Sequence, residues 1–140
     1  INYLGVEAVG QLVNLNNEDF KKEKIFRMPA GTTRVIHESL FNLKQVKEKI
    51  KETKKPRIVF LLKTIDALES LEKNYSKKLI LELLKQDIEK IVVSFPEKSV
   101  SKKSDFKVKR NWFEEFLQEQ GLNVLDEFVL GGERYFVLGK

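Results

Sequence analysis

The 140-residue sequence contains no cysteine, which excludes disulfides, cysteine-ligated zinc, iron–sulfur clusters and thiol nucleophiles together. A single histidine, His37, rules out a multi-histidine metal site and argues against a Ser-His-Asp triad. Long apolar runs are also missing. The longest covers about five residues, as in Ile58 to Leu62, against the roughly 20 needed to span a bilayer. No transmembrane helix or membrane partner is expected. The first residues lack a basic region followed by an apolar stretch and a small-residue cleavage site, so a cytoplasmic protein is the expectation. No internal repeat or low-complexity tract is present.

What the chain does contain is charge and apolar residues in alternating blocks. Apolar residues make up 41% of the sequence, enough for one sizeable core, and 26 Lys and Arg outweigh 21 Asp and Glu to give a net charge of +5. That balance permits a polyanionic partner. The first residue is Ile1 and not Met, which suggests a piece of a longer product or a processed chain.

Tyr3 to Glu7 has a strand pattern, and Val9, Leu12 and Val13 are spaced as in a helix. Asn14 to Lys24 is polar and turn-like, Arg27 to Thr33 reads as loop, and Arg34 to His37 is a second strand candidate. Ser39 is a candidate N-cap for a helix over Leu40 to Lys54, which Pro56 closes. Arg57 to Leu62 is nearly uninterrupted apolar sequence, the pattern of a central parallel strand buried on both faces. Helical spacing follows through Leu68 and Leu71 and, past a break near Asn74, through Leu79, Leu83 and Leu84. Ile88 to Phe95 repeats the buried-strand pattern. Trp112, Phe113, Phe116 and Leu117 share a helix face capped by Gly121, and Asn123 to Leu138 reads as a hairpin about Gly131 and Gly132. The alternation predicts one doubly wound α/β domain over residues 1–140.

In open α/β sheets ligands bind at the strand carboxyl ends, which directs attention to Glu7, Glu38, Lys63, Thr64 and Ser94 to Ser99. An acid directly after a strand can accept both hydroxyls of a ribose, or it can simply favour the start of a helix. Glu7 and Glu38 both carry that ambiguity. Lys63 either meets an anionic ligand or snorkels to solvent. Lys98 to Arg110 holds six basic residues (Lys98, Lys102, Lys103, Lys107, Lys109, Arg110) against Asp105 alone, with Phe95, Phe106 and Trp112 nearby. Such a stretch suits phosphate neutralisation and base stacking, or else is a solvated loop beside core aromatics.

Three segments together resemble the 16S rRNA (guanine-N7) methyltransferases of the aminoglycoside-resistance type. FLLKTIDALE (Phe60 to Glu69) is similar to that family's apolar strand followed by Leu-Lys. IVVSFPEKSV (Ile91 to Val100) resembles its strand with a Ser-Phe-Pro-x-basic-Ser signature, and WFEEF with LGGERYFVL resembles its last helix and closing hairpin. The similarity is clearest from Arg57 onward, and YLGVE and VIHESLF look like the second and third strands of the fold. The resemblance implies the C-terminal portion of a Rossmann-like, mostly parallel methyltransferase sheet with a C-terminal antiparallel hairpin.

It further implies S-adenosylmethionine as cofactor, with Glu7 at its ribose, Glu38 beside its adenine, and Leu62, Lys63 and Thr64 bordering the methyl-donor site. Phe95, Pro96, Lys98 and Ser99 would face the target guanine and its backbone, with Lys102, Lys103, Lys107, Lys109 and Arg110 on ribosomal RNA. The family's first strand and its Asp-x-Gly-x-Gly loop have no counterpart in the sequence. A preceding segment or a second chain is expected to supply them, since without that strand two sheet edges would be unpaired. A different class of reading is a non-catalytic α/β RNA-binding or partner subunit without the cofactor loop.

Overall fold

A computed structural model of the chain describes residues 3–7, 14–15, 17–19, 33–97 and 111–139. The backbone divides into two compact units, Ile1–Lys55 and Pro56–Lys140.

In the first unit, strands β1 (Tyr3–Glu7) and β2 (Thr33–His37) pair in parallel, Tyr3 opposite Thr33 and Glu7 opposite His37. Val35 also exchanges two hydrogen bonds with one side chain: its N–H donates to Asn17 Oδ1 at 2.7 Å, and its carbonyl accepts from Asn17 Nδ2 at 2.9 Å. The Asn17 carboxamide thereby takes the place of a neighbouring strand. Asn17 belongs to a short helical stretch where polar composition predicted turns. Helix α1 runs Leu43–Glu52 and buries Val46. Its N-cap is Asn42, not Ser39. Ser39 organises the preceding turn instead, its carbonyl accepting the Asn42 N–H (3.0 Å) and its hydroxyl the Phe41 N–H (3.2 Å). Lys49 and Lys51 in the last turn complement the helix dipole.

The second unit comprises β3 (Ile58–Leu62), α2 (Ile65–Leu71), α3 (Tyr75–Leu84), β4 (Lys90–Pro96), α4 (Asn111–Glu119), β5 (Asn123–Leu130) and β6 (Glu133–Gly139). Its sheet has the order β3-β4-β6-β5, with β3 parallel to β4 and β6 antiparallel to both of its neighbours. The break between α2 and α3 falls at Asn74, in the left-handed conformation that asparagine tolerates. There the Glu69 carboxylate accepts the N–H groups of Asn74 (2.8 Å) and Ser76 (3.0 Å) and the Ser76 hydroxyl, capping α3 from the preceding helix. Gly121 ends α4 with φ +61°, its N–H on the Gln118 carbonyl and the Leu122 N–H on the Leu117 carbonyl, the Schellman pattern. Gly131 and Gly132, both at positive φ, make the tight hairpin turn that joins β5 to β6.

Directly opposed residues of paired strands share a face. Register therefore puts Leu61, Val93, Phe95 and Phe136 on one face, where Phe113 of α4 meets Phe95 (ring centroids 4.9 Å apart) and Phe136 (5.3 Å) edge-on. Leu79, Ile80 and Leu83 of α3 are buried as well. The opposite face is open at β3: Ile58 is 48%, Phe60 60% and Leu62 49% exposed, although Leu61 is buried. The expectation that this strand is buried on both faces is thus corrected. β3 is an edge strand, and among the described residues nothing pairs with its outer edge or covers that face.

Replacing the buried Phe113 by alanine removes the centre of the aromatic cluster and is expected to cost about 3–5 kcal/mol. Phe60→Ala is expected to change stability by no more than about 0.5 kcal/mol. Urea unfolding of the two variants checks both values.

Candidate functional site

The carboxyl ends of β3 and β4 lie side by side, with Leu62 opposite Ser94. Ser94 points to the face away from the aromatic core and is nevertheless only 1% exposed. Its hydroxyl accepts the Lys63 backbone N–H at 3.0 Å and donates to Glu133 Oε2 at 2.7 Å. Glu133 begins β6, directly opposite Pro96, and its other oxygen receives the Lys63 ammonium at 2.7 Å. Lys63 itself has a φ of +54°, a left-handed conformation that a residue bearing a Cβ rarely adopts. The Thr64 hydroxyl donates to the Leu62 carbonyl at 2.9 Å, tightening the same turn.

Electrostatics follow from this geometry. Hydrogen bonds from Lys63 and Ser94, with the lysine charge, hold the Glu133 carboxyl below the usual carboxylate range. The bond and charge of Glu133 raise the Lys63 ammonium above its ordinary value. Lys63 therefore stays protonated at neutral pH and cannot serve as a base. One residue further along, Arg134 binds Glu97 (2.6 Å) and Glu127 (2.5 Å), and the Glu97 N–H donates to the Gly132 carbonyl (2.8 Å). The hairpin thus holds the chain leaving β4 as well as the turn leaving β3.

In the first unit, Glu7 ends β1 opposite His37, and Glu38 follows β2, so both acids stand at the carboxyl ends of adjacent parallel strands. Glu38 Oε1 accepts from the Ser39 N–H (2.9 Å) and the Asn42 carboxamide (3.3 Å). An ionised carboxylate only accepts hydrogen bonds, so an acid at such a strand end is of the type that ribose hydroxyls can donate to.

Of the residues singled out from sequence, Leu62, Lys63, Thr64 and Pro96 gather at one sheet end. Phe95, expected to face a target base, lies instead in the core at 1% exposure between Phe113 and Phe136, with no ring face to offer. Lys98, Ser99, Lys102, Lys103, Lys107, Lys109 and Arg110 fall outside the described residues. Sequence reasoning missed Glu133 and Arg134. Their partners are 30 or more positions away for Lys63, Ser94 and Glu97, and the one local signal is their place after a Gly-Gly turn. Among the described residues no cluster of His, Asp or Glu could hold a metal ion, and no helix is long and apolar enough to cross a membrane.

No protein-family model matches the chain, and no curated protein matches it significantly. Solved structures do match. The 16S rRNA methylase ArmA aligns over 99% of this chain with a TM-score of 0.67 and 23% identity. The 16S rRNA methyltransferase RmtF, in complex with S-adenosyl-L-homocysteine, aligns over 98% with a TM-score of 0.67 and 20% identity. An rRNA methylase from Escherichia coli aligns over 99% with a TM-score of 0.57 and 14% identity. The chain has a methyltransferase fold. It spans 62%, 47% and 57% of the lengths of those three chains, respectively.

The lowered Glu133 value makes its contribution to stability present above the unfolded carboxyl value of about 4.3 and lost as pH falls through the folded one. The raised Lys63 value gives a contribution present below the unfolded ammonium value of about 10.4 and lost as pH rises through the folded one. Carbon-detected NMR is expected to show Glu133 titrating below the ordinary range, and Ser94→Ala or Lys63→Met moving it back up.

Proposed function

We propose that the chain is part of an S-adenosylmethionine-dependent methyltransferase that modifies a guanine base, at N7, in small-subunit ribosomal RNA. The observation that carries this reading is the likeness in fold to the 16S rRNA methylases over nearly the whole chain. It joins the FLLKT and VVSFPEKS segments, each of which follows or ends a parallel strand at the sheet's carboxyl end. On this reading residues 1–140 belong to one catalytic domain. A parallel strand with a Gly-rich turn comes from a preceding segment or a second chain, and in the second unit the outer edge of β3, which no described strand pairs with, has room for it. A ribosomal substrate suits a cytoplasmic location.

The chemistry agrees with the residues present. S-adenosylmethionine supplies an electrophilic methyl group on a sulfonium sulfur. Guanine N7 carries a lone pair at neutral pH, so the N–C bond forms as the C–S bond breaks, the sulfur leaves as a neutral thioether, and the positive charge passes to the base. No proton is removed, and a protonated Lys63 is no handicap. Glu7 and Glu38 would hold the cofactor's ribose and adenine, and the exposed Leu62 with the Lys63–Thr64 turn would border the methyl group. Pro96, Lys98 and Ser99 would meet the RNA, and Lys102, Lys103, Lys107, Lys109 and Arg110 would neutralise its phosphates.

The test is methyl transfer from labelled S-adenosylmethionine to small ribosomal subunits by the full-length protein with any chain that copurifies. Label at guanine N7 is expected, detected by strand scission at the methylated base. Lys63→Ala should lower the rate about 10-fold through lost alignment, and Lys98→Ala should weaken RNA binding and reduce its salt slope by about 1. Unchanged transfer in both variants would refute the site assignment. RNA binding with neither cofactor binding nor transfer would establish the non-catalytic subunit instead.

A further inference from the structure

The left-handed backbone at Lys63 has no cause in its own residue type. Glycine adopts this region freely, whereas a residue with a Cβ persists there only when surrounding contacts over-determine it. Three such contacts meet here: the Lys63 N–H on the Ser94 hydroxyl, that hydroxyl on Glu133 Oε2, and the Lys63 ammonium on Glu133 Oε1. One carboxylate therefore closes a ring through both the backbone and the side chain of residue 63. Because Ser94 is buried, its hydroxyl has no ready replacement for Glu133. Glu133 is itself fixed in place, following the Gly131-Gly132 turn and standing opposite Pro96 in the ladder.

We propose that Glu133 is a positioning residue, whose carboxylate, acting through Ser94 and Lys63, holds the turn after β3 in the conformation that methyl transfer uses. The proposal rests on the methyltransferase reading above and adds to it a residue outside the strand-end motifs. A transfer that moves no proton depends on alignment of donor and acceptor, so a turn that drifts by about 1 Å lowers the rate by orders of magnitude without weakening cofactor binding in proportion. The same hairpin grips the chain leaving β4, through Gly132 with Glu97 and through Arg134 with Glu97 and Glu127. Three consecutive residues, 132 to 134, thus govern the exits of two adjacent parallel strands.

Glu133→Gln keeps the size of the side chain and removes its charge. In the full-length protein acting on small ribosomal subunits, this variant is expected to show kcat reduced about 10- to 100-fold, with KM for S-adenosylmethionine within about threefold of the parent. The carbon shifts of residue 63 should at the same time lose their left-handed signature. In a Lys63→Gly background, where positive φ needs no support, adding Glu133→Gln should reduce kcat by no more than about twofold further, because the two changes act on one turn. Ser94→Ala removes the backbone link alone and serves as the second variant if Glu133→Gln does not fold. An unchanged kcat overturns the proposal, as does a fall in kcat with the left-handed signature intact or equal losses in the two backgrounds. A parent protein that transfers no methyl group overturns the methyltransferase reading and the proposal with it, which separates that failure from a failure of Glu133 alone.

Discussion

The phase of β4 governs the second unit. Among the described strands it alone pairs in parallel on one side, with β3, and antiparallel on the other, with β6. Side chains alternate along a strand, so Ile91, Val93 and Phe95 share the core face and Ser94 takes the other. A slip of one residue would drive Phe95 out of its contacts with Phe113 and Phe136 and bring a hydroxyl into an aromatic core. The aromatic packing is therefore what places the Ser94 hydroxyl between Lys63 and Glu133. The polar network at the sheet end needs no separate device to aim it, because the hydrophobic phase of one strand has already done so.

That dependence explains which features were legible in the sequence. Short apolar runs mark the described strands, with nearly uninterrupted ones at β3 and β4, period-3.6 spacing marks the helices from Leu43 onward, and Gly121, Asn74 and the Gly131-Gly132 pair mark a helix end, a helix break and the hairpin turn. These are local signals with local causes. The burial of β3 was misread because an apolar run reports that a strand can be covered and not that it is: Phe60 sits at an edge with its face open. Phe95 suggested a stacking platform because it adjoins a basic stretch, yet its alternation with Val93 already placed it with the core. The cap of α1 shifted from Ser39 to Asn42 because the Ser39 hydroxyl satisfies a nearer N–H in the turn before the helix. Glu133 could not be found by spacing at all. Its role exists only once the β4–β6 register brings it opposite Pro96 and diagonal to Ser94.

The edges of the two sheets carry unequal protection, and the inequality has a direction. Beside β2, the Asn17 carboxamide occupies both backbone groups of Val35, so strand addition there would have to break two hydrogen bonds. At β5 the ladder is interrupted by a register shift between Val124 and Asp126, and Asp126 and Glu127 add charge, the usual means of discouraging an incoming strand. Among the described residues, no side chain bonds the outer edge of β1 or β3 and no register shift interrupts their ladders. Their sequences, YLGVE and IVFLL, contain no proline and no lysine, their ladders run in regular register, and β3 exposes Ile58, Phe60 and Leu62 beside its free edge. Burying apolar side chains of that size is worth about 1.5–3 kcal/mol each, which is a standing force toward covering them. Among the described residues each sheet thus has one edge with such a defence, at β2 and at β5, and one without, at β1 and at β3, although β5 too exposes Val124, Leu125, Val129 and Leu130. On the methyltransferase reading proposed above, β3 is therefore the edge of the second unit at which a further strand is to be sought.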